Sequence, residues 1–196
     1  MRYFLILFSF FVLIACSNNE QEVVFEPYKT GDIINLTSVA GASIEIERTQ
    51  NGFKLKNSDK IIMFDIFGTY CTPCQKEAPY LMDYQIEHNN DFMIIGLVYF
   101  DDSDKASIIK NFAKKYNAYY FISNDSEITR LVEQITMDIN YKRALEIPFK
   151  VVLKDGIYQD LSDNLGERGG QMAKFYLGEV KTELLAKDIQ RIQKME

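Results

Sequence analysis

The stretch FDIFGTYCTPCQKEAP (residues 64–79) decides how the rest of the chain is read. It holds Cys71 and Cys74, directly after the apolar run IIMFDIF (61–67). A run with so little alternation is expected of a strand covered on both faces. Residues 73–88 read as a helix. Cys71 then falls at the helix start, where unsatisfied N–H groups and the positive end of the helix dipole favour a thiolate. Pro73 suits a first helical turn, because no N–H is needed there. Cys74, one turn deeper, can close on Cys71. Metal ligation, a stapled turn and redox chemistry all use such a pair.

Outward from this stretch, strands and helices alternate. Residues 32–57 alternate apolar and polar side chains around Gly41 and Asn51-Gly52, as a β-hairpin or short meander does. FMIIGLVYF (92–100) is a second buried strand, and 103–116 keeps helical spacing. A short strand is expected at 119–122. Asp125 is placed to cap a helix with Ile128, Leu131, Val132, Ile135 and Ile139 on its inner face. IPFKVVLKDGIYQD (147–160) gives two strands about Asp155-Gly156, and 179–194 a last helix. Alternation of this kind implies βαβ units, with helices on both faces of a mainly parallel sheet and an antiparallel edge at the end.

The 196 residues, 47% of them hydrophobic, suffice for one compact domain. A net charge of −6 without a basic patch argues against nucleic acid as partner. The amino terminus, MRYFLILFSFFVLIAC, has one Arg, then an apolar run too short to span a bilayer comfortably, then small residues. That order is the order of an export signal. Leu13-Ile-Ala-Cys16 resembles the lipobox of bacterial lipoprotein signals, which implies cleavage before Cys16 and its lipidation. The expected organisation is a signal peptide at 1–15, a polar tether at 16–30 and one domain at 31–196.

Export bears on the cysteine pair. Disulfides persist outside the inner membrane, yet a loop closed by residues so close in sequence adds little chain-entropy stabilisation. A zinc site needs four ligands, chiefly Cys and His. Beyond the pair, the chain has only His88 and Cys16 to offer of those types. Redox chemistry is left as the reading that explains the pair.

The motif FGTYCTPCQKEAP resembles the active-site segment of thioredoxin-like proteins, in particular the exported ResA/TlpA/CcmG group. Gly68, Thr69, Cys71, Pro73, Cys74, Lys76, Glu77 and Pro79 match that pattern, while Phe67 and Tyr70 stand where the group usually has Trp. The resemblance implies a thioredoxin-like α/β fold, with a central mixed sheet flanked by helices and an amino-terminal β-hairpin extension. It implies a Cys71/Cys74 dithiol that reduces disulfides of exported proteins, apocytochrome c first among them. It further implies re-reduction by a membrane protein of the DsbD/CcdA type and a place in the bacterial envelope, facing the periplasm. No cofactor or metal is expected.

Resolving a mixed disulfide requires the second thiol to lose its proton, which a nearby base assists. Glu77 lies three residues after Cys74, on the same helix face; ResA-like proteins carry a glutamate there. Asp65 interrupts the apolar strand where thioredoxins carry a buried aspartate. A buried carboxyl has a raised pKa suited to proton exchange near neutrality. Ile147-Pro148 precedes a strand at the point where thioredoxin-like folds place a cis-proline loop against the cysteines. Tyr70, Thr72, Pro73, Ile147 and Pro148 are therefore expected to meet the substrate. Phe149 departs from the threonine usual after that proline, and the 161–173 loop is longer than its counterpart in the family. A lipoprotein that binds a haem- or metal-handling client in the same groove, with little turnover, is the alternative.

Overall fold

The computed structural model describes residues 25–195. The expected signal peptide, the lipobox-like stretch and Cys16 lie outside the described residues.

The first strands form a three-stranded antiparallel meander: β1 (Ile33–Thr37), β2 (Ser43–Arg48) and β3 (Phe53–Leu55). The remainder builds one mixed sheet from β4 (Ile61–Phe67), β5 (Phe92–Val98), β6 (Phe121–Ser123), β7 (Phe149–Lys154), β8 (Ile157–Tyr158) and β9 (Tyr176–Leu177). Its order is β6-β5-β4-β7-β8, with β9 also paired to β7. β4, β5 and β6 run parallel, and β7 is antiparallel to β4. The helices are α1 (Thr72–Glu87), α2 (Lys105–Ile108, continued by a π turn over Ile109–Ala113), α3 (Glu127–Asp138) and α4 (Thr182–Gln193). This is the mixed α/β sheet with an amino-terminal antiparallel extension that the motif and element order predict.

Side chains of a strand alternate between faces, and β4 shows it. Ile61, Met63 and Phe67 pack with Cys71, Cys74, Phe112 and Ile189 on the face covered by α1, α2 and α4. Ile62, Phe64 and Ile66 pack with Leu131 and Ile135 of α3 and with Ile34, Ile46 and Phe53 of the meander. Both faces of β4 are dry, which is why its sequence barely alternates. The meander also joins the sheet edge: Val39 N donates to Ile122 O, and Ser38 bridges Ser123.

Several expectations shift. β5 ends at Val98 rather than at residue 100, because Phe100 adopts a positive φ that no extended strand accommodates. The helix expected over 103–116 occupies Lys105–Ala113, capped by Asp104, whose Oδ1 accepts from Ser107 N at 2.7 Å. The short strand falls at Phe121–Ser123. Asp125 does not cap α3. Its carboxylate instead accepts from Thr37 N at 2.5 Å, and Ser126 takes the cap position without a side-chain bond. The last helix starts at Thr182 rather than at Glu179, and Val180 N donates to Glu77 Oε2. Tyr28, in the stretch read as tether, is buried. Its N–H donates to Gln134 Oε1 at 2.8 Å, its hydroxyl to Glu127 Oε2 at 2.7 Å, and the Arg130 guanidinium lies 3.8 Å from its ring centre. Arg130 Nε also donates to Glu26 O at 2.8 Å, so this stretch already lies against α3.

Candidate active site

The β4-to-α1 turn builds the site. Cys71 and Cys74 are joined as a disulfide with their Cα atoms 5.2 Å apart. Cys71 is the residue capping α1, and its Sγ accepts from Cys74 N at 3.3 Å. It receives the N–H that an Asp or Ser cap would otherwise take, so the helix start is aimed at sulfur. Cys71 is 7% exposed and Cys74 2%. The outer sulfur is the one a partner reaches, and the inner one is placed to displace it. Thr72 is exposed and Pro73 half-buried in the first turn.

The preceding segment is tied down by polar contacts. Thr69 N donates to Asp101 Oδ2 at 2.7 Å, and the Thr69 hydroxyl reaches the same oxygen. Gln75 Nε2 donates to Thr69 O at 2.7 Å. Burial pushes the Asp101 carboxyl up, but hydrogen bonds from Ser103 and Thr69 outweigh it and hold the group below the usual range. Tyr70 is exposed.

The Ile147–Pro148 peptide bond is cis. Ile147 packs against the cluster that holds both cysteines, and Pro148 O accepts from Gly178 N at 2.8 Å. Phe149, by contrast, is fully buried on the other face. Its ring stacks on Phe175 with centroids 5.0 Å apart and meets Tyr141 edge-on. It belongs to the core, so its departure from the family pattern is one of packing. The 161–173 loop is ordered by its own contacts: Leu161 bridges Ala173, and the Asp163 carboxylate accepts from the N–H groups of Gly166, Arg168 and Gly170. His88 caps the carboxyl end of α1 and lies against the Tyr84 ring, 4.2 Å between centroids.

Beneath the disulfide lies a buried charged group. Asp65 and Glu77 are both 2% exposed. Between them sits Lys150, fully buried, paired with Glu77 Oε1 and 3.2 Å from Asp65 Oδ1. That Asp65 oxygen is near the ammonium yet lacks a hydrogen-bond partner among the described residues. Glu77 Oε2 accepts from Val180 N at 3.1 Å. Tyr120 is buried as well; burial, reinforced by the charges of Asp65 and Glu77, drives its phenol far up. Burial lowers the Lys150 ammonium, but Asp65 and Glu77 more than compensate, so it stays charged. Burial, with help from Asp65, raises Glu77 to about 7, against the pull of Lys150 and the Val180 N–H.

Lys150 is the residue that sequence reading passes over. Register puts it there: β4 and β7 align Asp65 with Lys150, so both point to the α1 face. A sequence signal did exist. A lysine inside FKVVLK, like an aspartate inside IIMFDIF, is a charge in a run expected to be buried, and such charges need partners.

No protein-family model matches the chain. A curated uncharacterized protein from Haemophilus influenzae is 40% identical over 62 residues, 32% of this chain and 50% of that one. The thiol-disulfide oxidoreductase ResA of Bacillus thuringiensis subsp. konkukian is 29% identical over 90 residues, 46% of each chain. The chain thus spans about half the length of the curated relatives it matches. Among solved structures, a thiol:disulfide interchange protein of the thioredoxin family from Chlorobium tepidum superposes with a TM-score of 0.54 at 16% identity, covering 85% of this chain and 96% of that one. With its sheet order, its Cys71–Cys74 disulfide at the strand-to-helix turn and its cis-proline loop, the chain has the thioredoxin-like fold, and over about half of its length it is similar in sequence to ResA.

Proposed function

We propose that this protein is a lipid-anchored thiol–disulfide oxidoreductase of the bacterial envelope that reduces disulfides in exported polypeptides. The observation that carries the reading is the disulfide itself: Cys71 caps α1 with its sulfur in the path of the helix N–H groups, and Cys74 closes on it from one turn below.

The reaction starts from the dithiol. The Cys71 thiolate attacks one sulfur of the target disulfide. The target S–S bond breaks, and its other sulfur leaves as a thiolate that takes up a proton. Cys74 then loses its proton and attacks Cys71 Sγ, expelling the second target thiolate. Two electrons have passed to the target, and the Cys71–Cys74 disulfide remains. A raised Glu77, one helical turn from Cys74, is poised to take that proton near neutral pH. Asp65 and Lys150 set the charge around it. A second dithiol must return the two electrons. The resemblance to the ResA/TlpA/CcmG group favours a membrane donor of the DsbD/CcdA type and apocytochrome c as a substrate. The lipobox at Leu13–Cys16 supports anchoring through Cys16 with the domain in the periplasm.

The test is a Cys74→Ser variant of the reduced protein, mixed with insulin as a protein disulfide. It should accumulate mixed disulfides through Cys71 that the wild type resolves. Absence of both trapped adducts and wild-type insulin reduction would sink the enzymatic reading and favour a client-binding lipoprotein.

A further inference from the structure

Two buried acids share one ammonium beneath the disulfide, and they are not served alike. Glu77 has both carboxylate oxygens engaged, Oε1 by Lys150 and Oε2 by Val180 N at 3.1 Å. Asp65 has the ammonium 3.2 Å from Oδ1, and that oxygen has no hydrogen-bond partner among the described residues. A buried carboxylate oxygen in that position is costly unless a donor reaches it.

The strand register shows what stands beside Asp65. Ile122 of β6, Gly96 of β5, Asp65 of β4, Lys150 of β7 and Tyr176 of β9 pair in one row across the sheet. Gly96 is the one member of the row without a side chain, in the interior of a buried strand where glycine weakens the sheet. Its place is taken by other rings. A Cβ on Gly96 would lie 3.1 Å from Tyr120 Cε2 and 3.0 Å from Phe67 Cε1. The Tyr120 ring thus reaches over Gly96 with the carbon next to the one that bears its hydroxyl, one strand away from Asp65. Burial, and then the charges of Asp65 and Glu77, keep the proton on that phenol, so it remains a donor. The phenol on the other flank of the row is committed: Tyr176 donates to Asp188 Oδ2 at 2.5 Å, and Asp188 also accepts from Ser162 N and Arg191. Tyr84 of α1 and Tyr116 beyond α2 are the other ionisable side chains packed into this layer, together with the two cysteines.

We propose that Tyr120 is a positioning residue of the redox site: its hydroxyl donates to Asp65 while the dithiol works, keeps Asp65 ionised, and so leaves Glu77 as the acid that takes the Cys74 proton. The proposal rests on the oxidoreductase reading above and adds the division of labour between the two acids. No bond within Tyr120 is made or broken. The proton passes from Cys74 Sγ to Glu77 as the bond to Cys71 Sγ forms and the target thiolate leaves.

The test follows oxidation of the pre-reduced protein by insulin across the pH range in which buried acids and thiols titrate. Acid quenching at intervals separates the mixed disulfide from the closed Cys71–Cys74 pair, so attack by Cys71 and resolution by Cys74 are timed separately. Tyr120→Phe removes the hydroxyl and keeps the ring. The pH midpoint of resolution should rise by about one unit, as for a lost hydrogen bond to a charged group, because without the donor the acid pair holds its proton to higher pH. Attack by Cys71 should keep its wild-type pH profile. In an Asp65→Asn background the same replacement should shift nothing. An unshifted midpoint, a shift that persists without Asp65, or an equal slowing of both steps would make Tyr120 a packing residue and overturn the proposal. A ring-fluorinated tyrosine at position 120, a stronger donor of nearly the same shape, should lower the midpoint; one that stays put overturns the proposal even where Tyr120→Phe does not fold. A wild type that does not react with insulin at all would instead bring down the oxidoreductase reading.

Discussion

Replacing Glu77 by Gln should stabilise the protein at alkaline pH, although it removes one partner of a buried ion pair. The magnitude follows from linkage. Glu77 rises from 4.5 to about 7 in the folded chain, Lys150 included. At about 1.36 kcal/mol per pKa unit, a rise of that size corresponds to about 3 kcal/mol. The sign is that of a raised carboxyl. Below pH 4.5 the group is protonated in both states and costs nothing. Between 4.5 and 7 the folded state binds more protons, so stability falls as pH rises, and above 7 the full cost applies. Glutamine resembles the protonated acid: it offers Lys150 one neutral acceptor and has no charge to desolvate. The variant should match the wild type at pH 4.5 and exceed it by about 3 kcal/mol at pH 8. For a chain of this length that is roughly 6–12 °C in melting midpoint. Thermal and urea unfolding of the disulfide form at the two pH values measures it. A variant less stable than the wild type at pH 8, or one whose stability keeps the wild-type decline between pH 4.5 and 7, would refute the reasoning.

The neighbours of Glu77 should behave differently. Lys150→Met leaves two buried carboxylates without a counter-charge; we expect a loss of about 3–5 kcal/mol at pH 8 in urea unfolding, shrinking as the pH is lowered and the acids take up protons. Equal losses at pH 8 and pH 5 would show that Lys150 matters for packing alone. Asp65→Asn keeps the side-chain shape, so turnover with insulin should fall by about tenfold or more while the melting midpoint moves little; unchanged thiol–disulfide exchange would remove Asp65 from the chemistry.

Much of the molecule is legible in local pattern. IIMFDIF, lacking alternation, announces a strand buried on both faces. The apolar stripes of α3 and α4 mark Leu131, Ile135, Leu185 and Ile189 as core, and each is buried. Cys-Thr-Pro-Cys after a strand places a sulfur at a helix start. These succeed because each depends on residues within a turn or two of one another. Smaller pieces were beyond reach for the same reason. β9 is two residues long and shows no period, and the Asp125 carboxylate is drawn away from its helix by Thr37, 88 positions earlier.

The charge state of the site was decided only by tertiary structure. Each of Asp65, Glu77 and Lys150 is visible as an oddity or a motif residue, but nothing local says that they meet. Glu77 and Lys150 are 73 positions apart, and it is the antiparallel register of β4 with β7 that turns Lys150 toward the α1 face beside Asp65. A slip of one residue would send that ammonium to the opposite face. The sequence by itself determined the pair of sulfurs and the strand and helix that carry them. Folding decided how the acids beneath them are charged, because electrostatic cost depends on which groups share a dry interior, and that is a property of distances in space rather than along the chain.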